Sequence, residues 1–556
     1  MYNKKGYIMV YAIGMLSLLM LIAATLTSIT FTRSKWARNQ IDLIQDTTFA
    51  KAQVEAASSD LANYFENINN SPKGERGYLN EMIEDMQEYF NEIRNLYNIE
   101  IIPDSFMEEK YSYELLVRYC GEKVIAEKKI FLSMMPSYLF FALGSNTDIN
   151  INGGTYIDGN MYINNEFYLA NTANYILNDN RLSKQTSFST IKNGSSVFYS
   201  SKDYKINSCY LHEDCFDTSQ QRFIKQNFGK EDINLIFNNP PIIRDYPNNF
   251  LNVDFDEAFI YYLEKDIITK EYIANYPNLD INNLDSIFLQ LYEDGLIDNF
   301  HNRSGNKSTI INDNYVITDD LDFTQSDVKK HWIIVNGNLE IKNYDNNNIL
   351  NINANFLVNG NITITGFVKL DSTIYSLGEG LIHNASINVD SSNKNDQLVL
   401  LTKENLKFSK INEFDNRFLG IEEDENQNIS INPIIKGYFY TDSFVEIYTV
   451  NSYLVIEGGV FSNDNHNNEF NEQGERIIKK YITNTDSIGL LINSFQGEVI
   501  DNDGSFNFIN YDEDFKYARF IIKHDTSILE TQPKGLPLTK DFNYLFEDTR
   551  IIKLQK

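Results

Sequence analysis

The hydrophobic pattern along this chain changes period twice. Residues 7 to 31, YIMVYAIGMLSLLMLIAATLTSITF, carry no charge. As a helix this run is roughly 37 Å long at about 1.5 Å per residue, enough to cross a bilayer. Apolar positions then thin out without stopping. Trp36, Gln40, Leu43, Thr47, Ala50, Val54, Ala57, Leu61 and Tyr64 recur at intervals of three and four, a single helical stripe. No Gly or Pro interrupts Met15 to Asn70, so the two patterns read as one helix over 7–70, half apolar and half amphipathic. A secretory signal is the rival reading. Its apolar stretch is usually about 7–15 residues and ends at a small-residue cleavage site, and neither feature is present here.

A second amphipathic helix follows "NNSPKG". It is marked by Leu79, Met82, Ile83, Met86, Tyr89, Phe90, Ile93 and Leu96. Two partly alternating runs, "YSYELLVRYC" and "KVIAEKKIFLSMM", flank a turn at Gly121 and predict a β-hairpin. Beyond residue 136 the period becomes two. The heptapeptides "VNGNLEI" from Val335 and "VNGNITI" from Val358 are near-copies 23 residues apart, and "IDGNMYI" from Ile157 is a third version. Each sets a turn, centred on Asp158–Gly159, Asn336–Gly337 or Asn359–Gly360, ahead of alternating positions. Asn and Gly tolerate positive φ, which suits a sharp corner. A hairpin would use such a turn. A 23-residue spacing also leaves room for a full circuit of three short strands, so these are read as corners of a β-solenoid whose rungs bury a shared core. Helical patterns around "DFDEAFIYYLEKD" and "LDSIFLQLYEDG" interrupt the strand pattern.

The fold class expected is therefore α+β. A long N-terminal helix, transmembrane then amphipathic, leads to a small helix and antiparallel-sheet module and then to a right-handed parallel β-solenoid with a mixed insertion. The boundaries are a basic leader over 1–6, the helix over 7–70 and the small module over 71–135. First rungs follow over 136–165, the insertion over 166–320, the solenoid core over 321–465, and C-terminal strands with a cap over 466–556.

Charge changes this picture by exclusion. The chain of 556 residues has a formal charge of −29 and a pI near 4.6, which argues against nucleic acid as a partner, because phosphate contacts need clustered Lys and Arg. Lys4 and Lys5 precede the apolar run, and Arg33, Lys35 and Arg38 follow it, so the positive-inside rule orients neither end. Three cysteines are too few for a disulfide scaffold. Cys209 and Cys215 could close one small loop, or all three could be thiols.

The basic leader ending in Gly6, the aliphatic stretch from Tyr7 and its unbroken amphipathic continuation resemble the type IV pilin-like proteins, in particular the group with a PilX-type N-terminus. The resemblance implies cleavage by a prepilin peptidase between Gly6 and Tyr7 and methylation of the new terminus. It places the leader in the cytoplasm and the bulk of the chain outside. It also implies packing against other pilin-like subunits. The major subunits of that family carry a Glu five residues into the mature chain, and here that position is Tyr11. A buried carboxylate in lipid is tolerated when it pairs with a neighbour's amino terminus. Without it the chain fits a minor component better than a shaft.

The search for chemistry turns up acidic tracts without a constellation. Parallel β-helices host polysaccharide lyases and hydrolases, which need convergent acids or a carboxylate-bound calcium. Asp390 follows the strand-like run "ASINV" and Asp371 opens another segment, and "IEEDENQN" from Ile421 and "SNDNHNNEFNEQGE" from Ser462 are rich in oxygen, yet neither tract matches an EF-hand loop. "CYLHEDC" holds His212 between two cysteines but lacks four zinc ligands. No catalytic residue, metal or cofactor is assigned. The functional expectation is a non-enzymatic membrane-anchored surface protein, a minor pilin-like component with a lipid bilayer around its helix. Its acidic, aromatic-bearing outer surface would meet surface polysaccharide or a host or abiotic surface. Two alternatives stay open: a membrane-anchored β-helical polysaccharide-active enzyme, and an envelope protein that polymerises through solenoid ends.

Overall fold

The structure is a computed structural model. It describes residues 4–70, 79–103, 112–177, 180–200, 205–209, 216–217, 222–223, 226–228, 236–237, 240–246, 250–266, 284–295, 297–299, 308–323, 332–389, 396–411, 414, 421–423, 429–431, 434–463, 488–502, 505–511, 515–531, 533, 535–537, 539, 541, 543–546 and 549–554. The chain is α+β and divides into two compact units, one of residues 1–134 with 540–556 and the other of residues 135–539.

The first unit is built on helix α1 (Lys4–Asn70), which is continuous as the unbroken sequence pattern requires. Its stripe separates into two stretches. Ala50, Val54, Ala57, Leu61 and Phe65 are completely buried, while Trp36 is 65% exposed. The buried stretch packs with Met86, Phe90 and Ile93 of α2 (Leu79–Tyr97) and with an antiparallel sheet. That sheet runs β1 (Glu100–Pro103), β2 (Ser112–Cys120), β3 (Val124–Ser133), and β3 then takes two C-terminal strands on its far edge. Asn543–Phe546 pairs with residues 130–133 and Arg550–Lys553 with residues 124–127. The last residues of the chain thus complete the small sheet, and Tyr544 and Ile551 pack on its core. Polar contacts fix the helix in place. Glu55 meets Lys128 Nζ at 2.6 Å and accepts from the Thr549 hydroxyl, while Lys123 lies 3.6 and 3.7 Å from Asp42 and Asp46. Burial alone pushes the Glu55 carboxyl up, but Lys128 and Thr549 outweigh it and hold it below the usual range.

The second unit is a large, mostly parallel β-sheet domain of short strands, and its pairings fall into three columns. In the first, Ile333, Phe356, Ile374, Leu400, Phe439, Val460, Leu143, Met161 and Val197 are successive partners. In the second, Leu339 pairs with Ile362, and the column ends through Leu490, Ile149, Phe167 and Ile206. In the third, Val368, Ile387, Ile435, Ile456, Ile522, Ile157 and Ile191 follow one another. These residues share one apolar cluster. Period-two alternation supplies it, because every second side chain of each strand points to the same face.

Order in space differs from order in sequence. Leu143–Ser145 stacks on Val460–Ser462, so the coil that opens the unit lies against a coil near its end. Strands past residue 165 continue the columns: Glu166–Ala170, Ser196–Tyr199, Lys205–Cys209 and Ile242–Asp245 all pair in parallel with earlier strands. The chain then returns along the outside of the first column. Phe250 stacks on Tyr162 at 4.1 Å and on Phe461 at 5.2 Å. Further on, the Tyr440 hydroxyl donates to the Val253 carbonyl, Asp256 pairs with Lys403 at 2.7 Å, and Tyr262 reaches Trp332 at 4.9 Å. Helix α3 (Phe255–Asp266) in this strap is capped by Asp254, whose carboxylate accepts from the Glu257 amide at 3.1 Å. The strap explains the composition beneath it. Trp332–Val335 and Leu398–Thr402 are buried on both faces and read as unbroken apolar runs, whereas Leu339–Asn343 in the second column alternates.

Candidate functional site

Two features present chemistry beyond a packed core: the free half of α1 in the first unit and a polar corner in the second. From Tyr7 to Phe31 the apolar side chains of α1 are exposed on every side, from 46% at Ile22 to 78% at Tyr11. An 18-residue window within the helix reaches a mean hydropathy of 2.3 with none of it buried, so the helix is long and apolar enough to cross a membrane. Its hydroxyls are compatible with hydrocarbon. Ser17, Thr30 and Thr32 each donate to the carbonyl four residues back at 2.8–2.9 Å, and Thr25 donates to Ile22. An unpaired hydroxyl in an apolar medium would cost several kcal/mol, and these are paired within their own helix. A Leu, Ile, Val or Phe gains about 0.3–0.6 kcal/mol at the centre of a bilayer and less toward its interfaces, so the eleven such residues from Ile8 to Phe31 favour insertion by a few kcal/mol, with about 7 kcal/mol as the ceiling. Gly6 and Tyr7 lie within α1, and Tyr11 is exposed one turn later.

The corner between the first and second columns holds two of the three repeated motifs in direct register. Val335 pairs with Val358, and Leu339 with Ile362. Asn359 Nδ2 donates to Asn336 Oδ1 at 2.8 Å, and Asn336 donates to Asn312 at 3.4 Å. A second rail runs beside the first. The amides of Asn338, Asn361 and Glu379 donate to Oδ1 of Asn314, Asn338 and Asn361, each at 2.8 Å. Further along the same corner Asn463 donates to Asp442 at 3.0 Å, and Asn146 donates to Asn463. Hydrogen-bonded residues along this corner are separated by 24, 23, 18, 26, 38 and 21 residues in turn. Unequal loops therefore hide a regular stack, which is why only two near-copies stand out in the sequence. The rail residues Asn312, Asn314, Asn338, Asn361 and Asn463 were not singled out by the sequence reading; the recurring N-x-N was the available signal.

Glycine at this corner answers to space rather than to φ. Neither Gly337 nor Gly360 has a positive φ. A Cβ on Gly360 would lie 2.6 Å from the Gly337 carbonyl oxygen, and one on Gly337 would lie 2.7 Å from the Asn314 amide nitrogen. The third motif occupies a different corner, from the third column to the first. There Gly159 has φ +150°, a Cβ would come within 2.6 Å of His524 Cβ, and Asp158 pairs with Lys192 at 2.8 Å. His524 itself is half-buried, with Nε2 donating to the Leu139 carbonyl at 2.9 Å. Burial holds its imidazole below the ordinary value despite that bond and the nearby Asp525 and Asp158.

Cys209 ends a strand opposite Ala170, while Cys215 lies outside the described residues, as do Asp390 and most of the tract from Ser462. Asp371 sits at a corner, where its amide donates to Ile352. Among the described residues no group of three or more His, Cys, Asp or Glu is placed to hold a metal.

In class, this is an α+β chain that joins one exposed, membrane-length apolar helix to a large parallel-sheet domain. No family model matches the sequence, and no curated protein matches it. Among solved structures, the crystal structure of the competence-associated pilin ComZ from Thermus thermophilus is similar over 82% of this chain and 84% of that chain, at 10% identity and a TM-score of 0.26. A similarity this faint defines no family for this chain.

Proposed function

We propose that this chain is a non-enzymatic, membrane-anchored surface protein of pilin-like design, a minor component of a type IV pilus or related filament. One observation carries the reading: α1 passes without a break from an apolar half exposed all round to a half packed into a small α+β unit. Such a helix anchors a folded head directly, with no flexible linker between lipid and protein. In this reading the leader is removed after Gly6 and Tyr7 becomes the methylated N-terminus. Tyr11 leaves the helix without a carboxylate for subunit pairing, so the chain enters a filament rarely. The three columns form a right-handed β-solenoid on the outer side of the membrane, where the acidic surface keeps it soluble and meets a polysaccharide or another surface.

The test is the mature N-terminus, read by mass spectrometry on protein purified from its native membrane. A chain starting at N-methylated Tyr7 supports the proposal. Retention of Met1, or a start near residue 30, overturns it.

A further inference from the structure

Directly after the apolar run, α1 carries Arg33, Lys35, Trp36 and Arg38. All four are exposed, Trp36 to 65%. At about 100° per residue they point to roughly 0°, 200°, 300° and 140° around the helix axis. No arc wider than about 140° is free of them, so they form a collar rather than a stripe. Among the described residues none of the three cations has an ion-pair partner, and the next carboxylates down the helix, Asp42 and Asp46, face Lys123.

We propose that this collar binds anionic phospholipid headgroups, at the bilayer surface on the side of the folded units. The inference rests on the membrane reading above and adds the ligand. Three features favour lipid over a protein partner. A protein docks against one face of a helix, whereas headgroups surround it, and the collar has no preferred face. The span also fits: from Tyr7 to Trp36 the rise is about 43 Å, close to the 40–45 Å of a bilayer with its headgroup layers. Finally, Tyr7 and Tyr11 at one end and Trp36 at the other are the residues expected at the two interfaces. Each cation close to an anionic surface favours association by about 1 kcal/mol, about fivefold, screened within roughly a Debye length. Burying the same cations within a helical bundle would require partners that the chain does not supply.

The experiment reconstitutes the full chain into phosphatidylcholine vesicles that carry a trace of dansyl-labelled lipid, with either a phosphatidylglycerol or a phosphatidylcholine headgroup. Energy transfer from Trp36 is read, and the W36F chain, which keeps the buried Trp332, gives the background. The expected result is several-fold stronger transfer to the anionic label at low salt. That preference disappears in 0.5 M salt, on the order of a 4 Å Debye length, and in R33Q/K35Q/R38Q. Equal transfer to both labels overturns the collar but leaves the helix in the membrane. No transfer to either label overturns the membrane reading itself. Transfer that falls in filament preparations as the collar becomes buried against other chains would assign the surface to protein and also overturn the proposal.

Discussion

Replacing Gly360 separates two reasons for an Asn-Gly corner. If the corner needed positive φ, Asn would serve there almost as well as Gly and better than Ala. The structure gives another reason. A Cβ at Gly360 would sit 2.5 Å from Asn338 Oδ1 and 2.6 Å from the Gly337 carbonyl oxygen, and backbone cannot swing aside. Restoring ordinary contact needs about 0.8 Å of separation between neighbouring coils. That opening stretches the Asn359 amide bond to Val335 at 2.9 Å, the Asn361 amide bond to Asn338 at 2.8 Å and the Asn359–Asn336 bond at 2.8 Å. Overpacking of this kind costs about 1–3 kcal/mol, and weakening two or three hydrogen bonds adds to it, so G360A should cost about 3 kcal/mol and G360N more. Gly194 is the counterpart, with φ +91° and nothing within 4 Å. There G194A should cost about 1 kcal/mol and G194N only a few tenths, because Asn adopts that conformation readily. Urea unfolding in detergent, followed through Trp332 in the first column, measures all four. The reasoning is refuted if G360N is as stable as G360A, or if G360A lies within about 0.5 kcal/mol of the parent.

Three further outcomes are expected. Because His524 titrates below its unfolded value of about 6.5, the folded state binds fewer protons between the two values, so stability of the second unit should fall as pH drops from about 7 through that window. H524Q, which can still donate to Leu139, should flatten that part of the profile; an unchanged slope in thermal scans would remove His524 as the cause. Arg519 is completely buried and donates to the carbonyls of Ser452 at 3.0 Å and Gly497 at 3.3 Å, so R519L should cost about 3 kcal/mol in urea midpoint analysis, with R519K intermediate. Deleting residues 540–556 strips the outer edge of β3 and the packing of Tyr544 and Ile551, roughly 3 kcal/mol from those side chains alone. Hydrogen exchange should quicken in β3 and stay slow in Trp332–Val335, and equal protection in β3 would show that the C-terminal strands contribute nothing.

Local periodicity determined much of this molecule. The uncharged run and the 3–4 stripe specify a continuous α1, because a helix places residues three and four apart on one face whatever surrounds it. Alternation specifies strands, and two near-copies at a fixed spacing specify stacked corners. The sequence could not decide which strands would be neighbours. Spacings between stacked partners that vary from 18 residues (Phe356 to Ile374) to 66 (Ile456 to Ile522) erase the period, and nothing local tells Leu143 to pair with Val460 or Tyr544 to lie across from Leu132. Nor could it give the reason for glycine at 337 and 360, since close approach exists only once coils have stacked. Those outcomes depend on contacts hundreds of residues apart: a strand edge is satisfied by whichever partner buries both hydrogen bonds and apolar faces, and only the assembled chain fixes that choice.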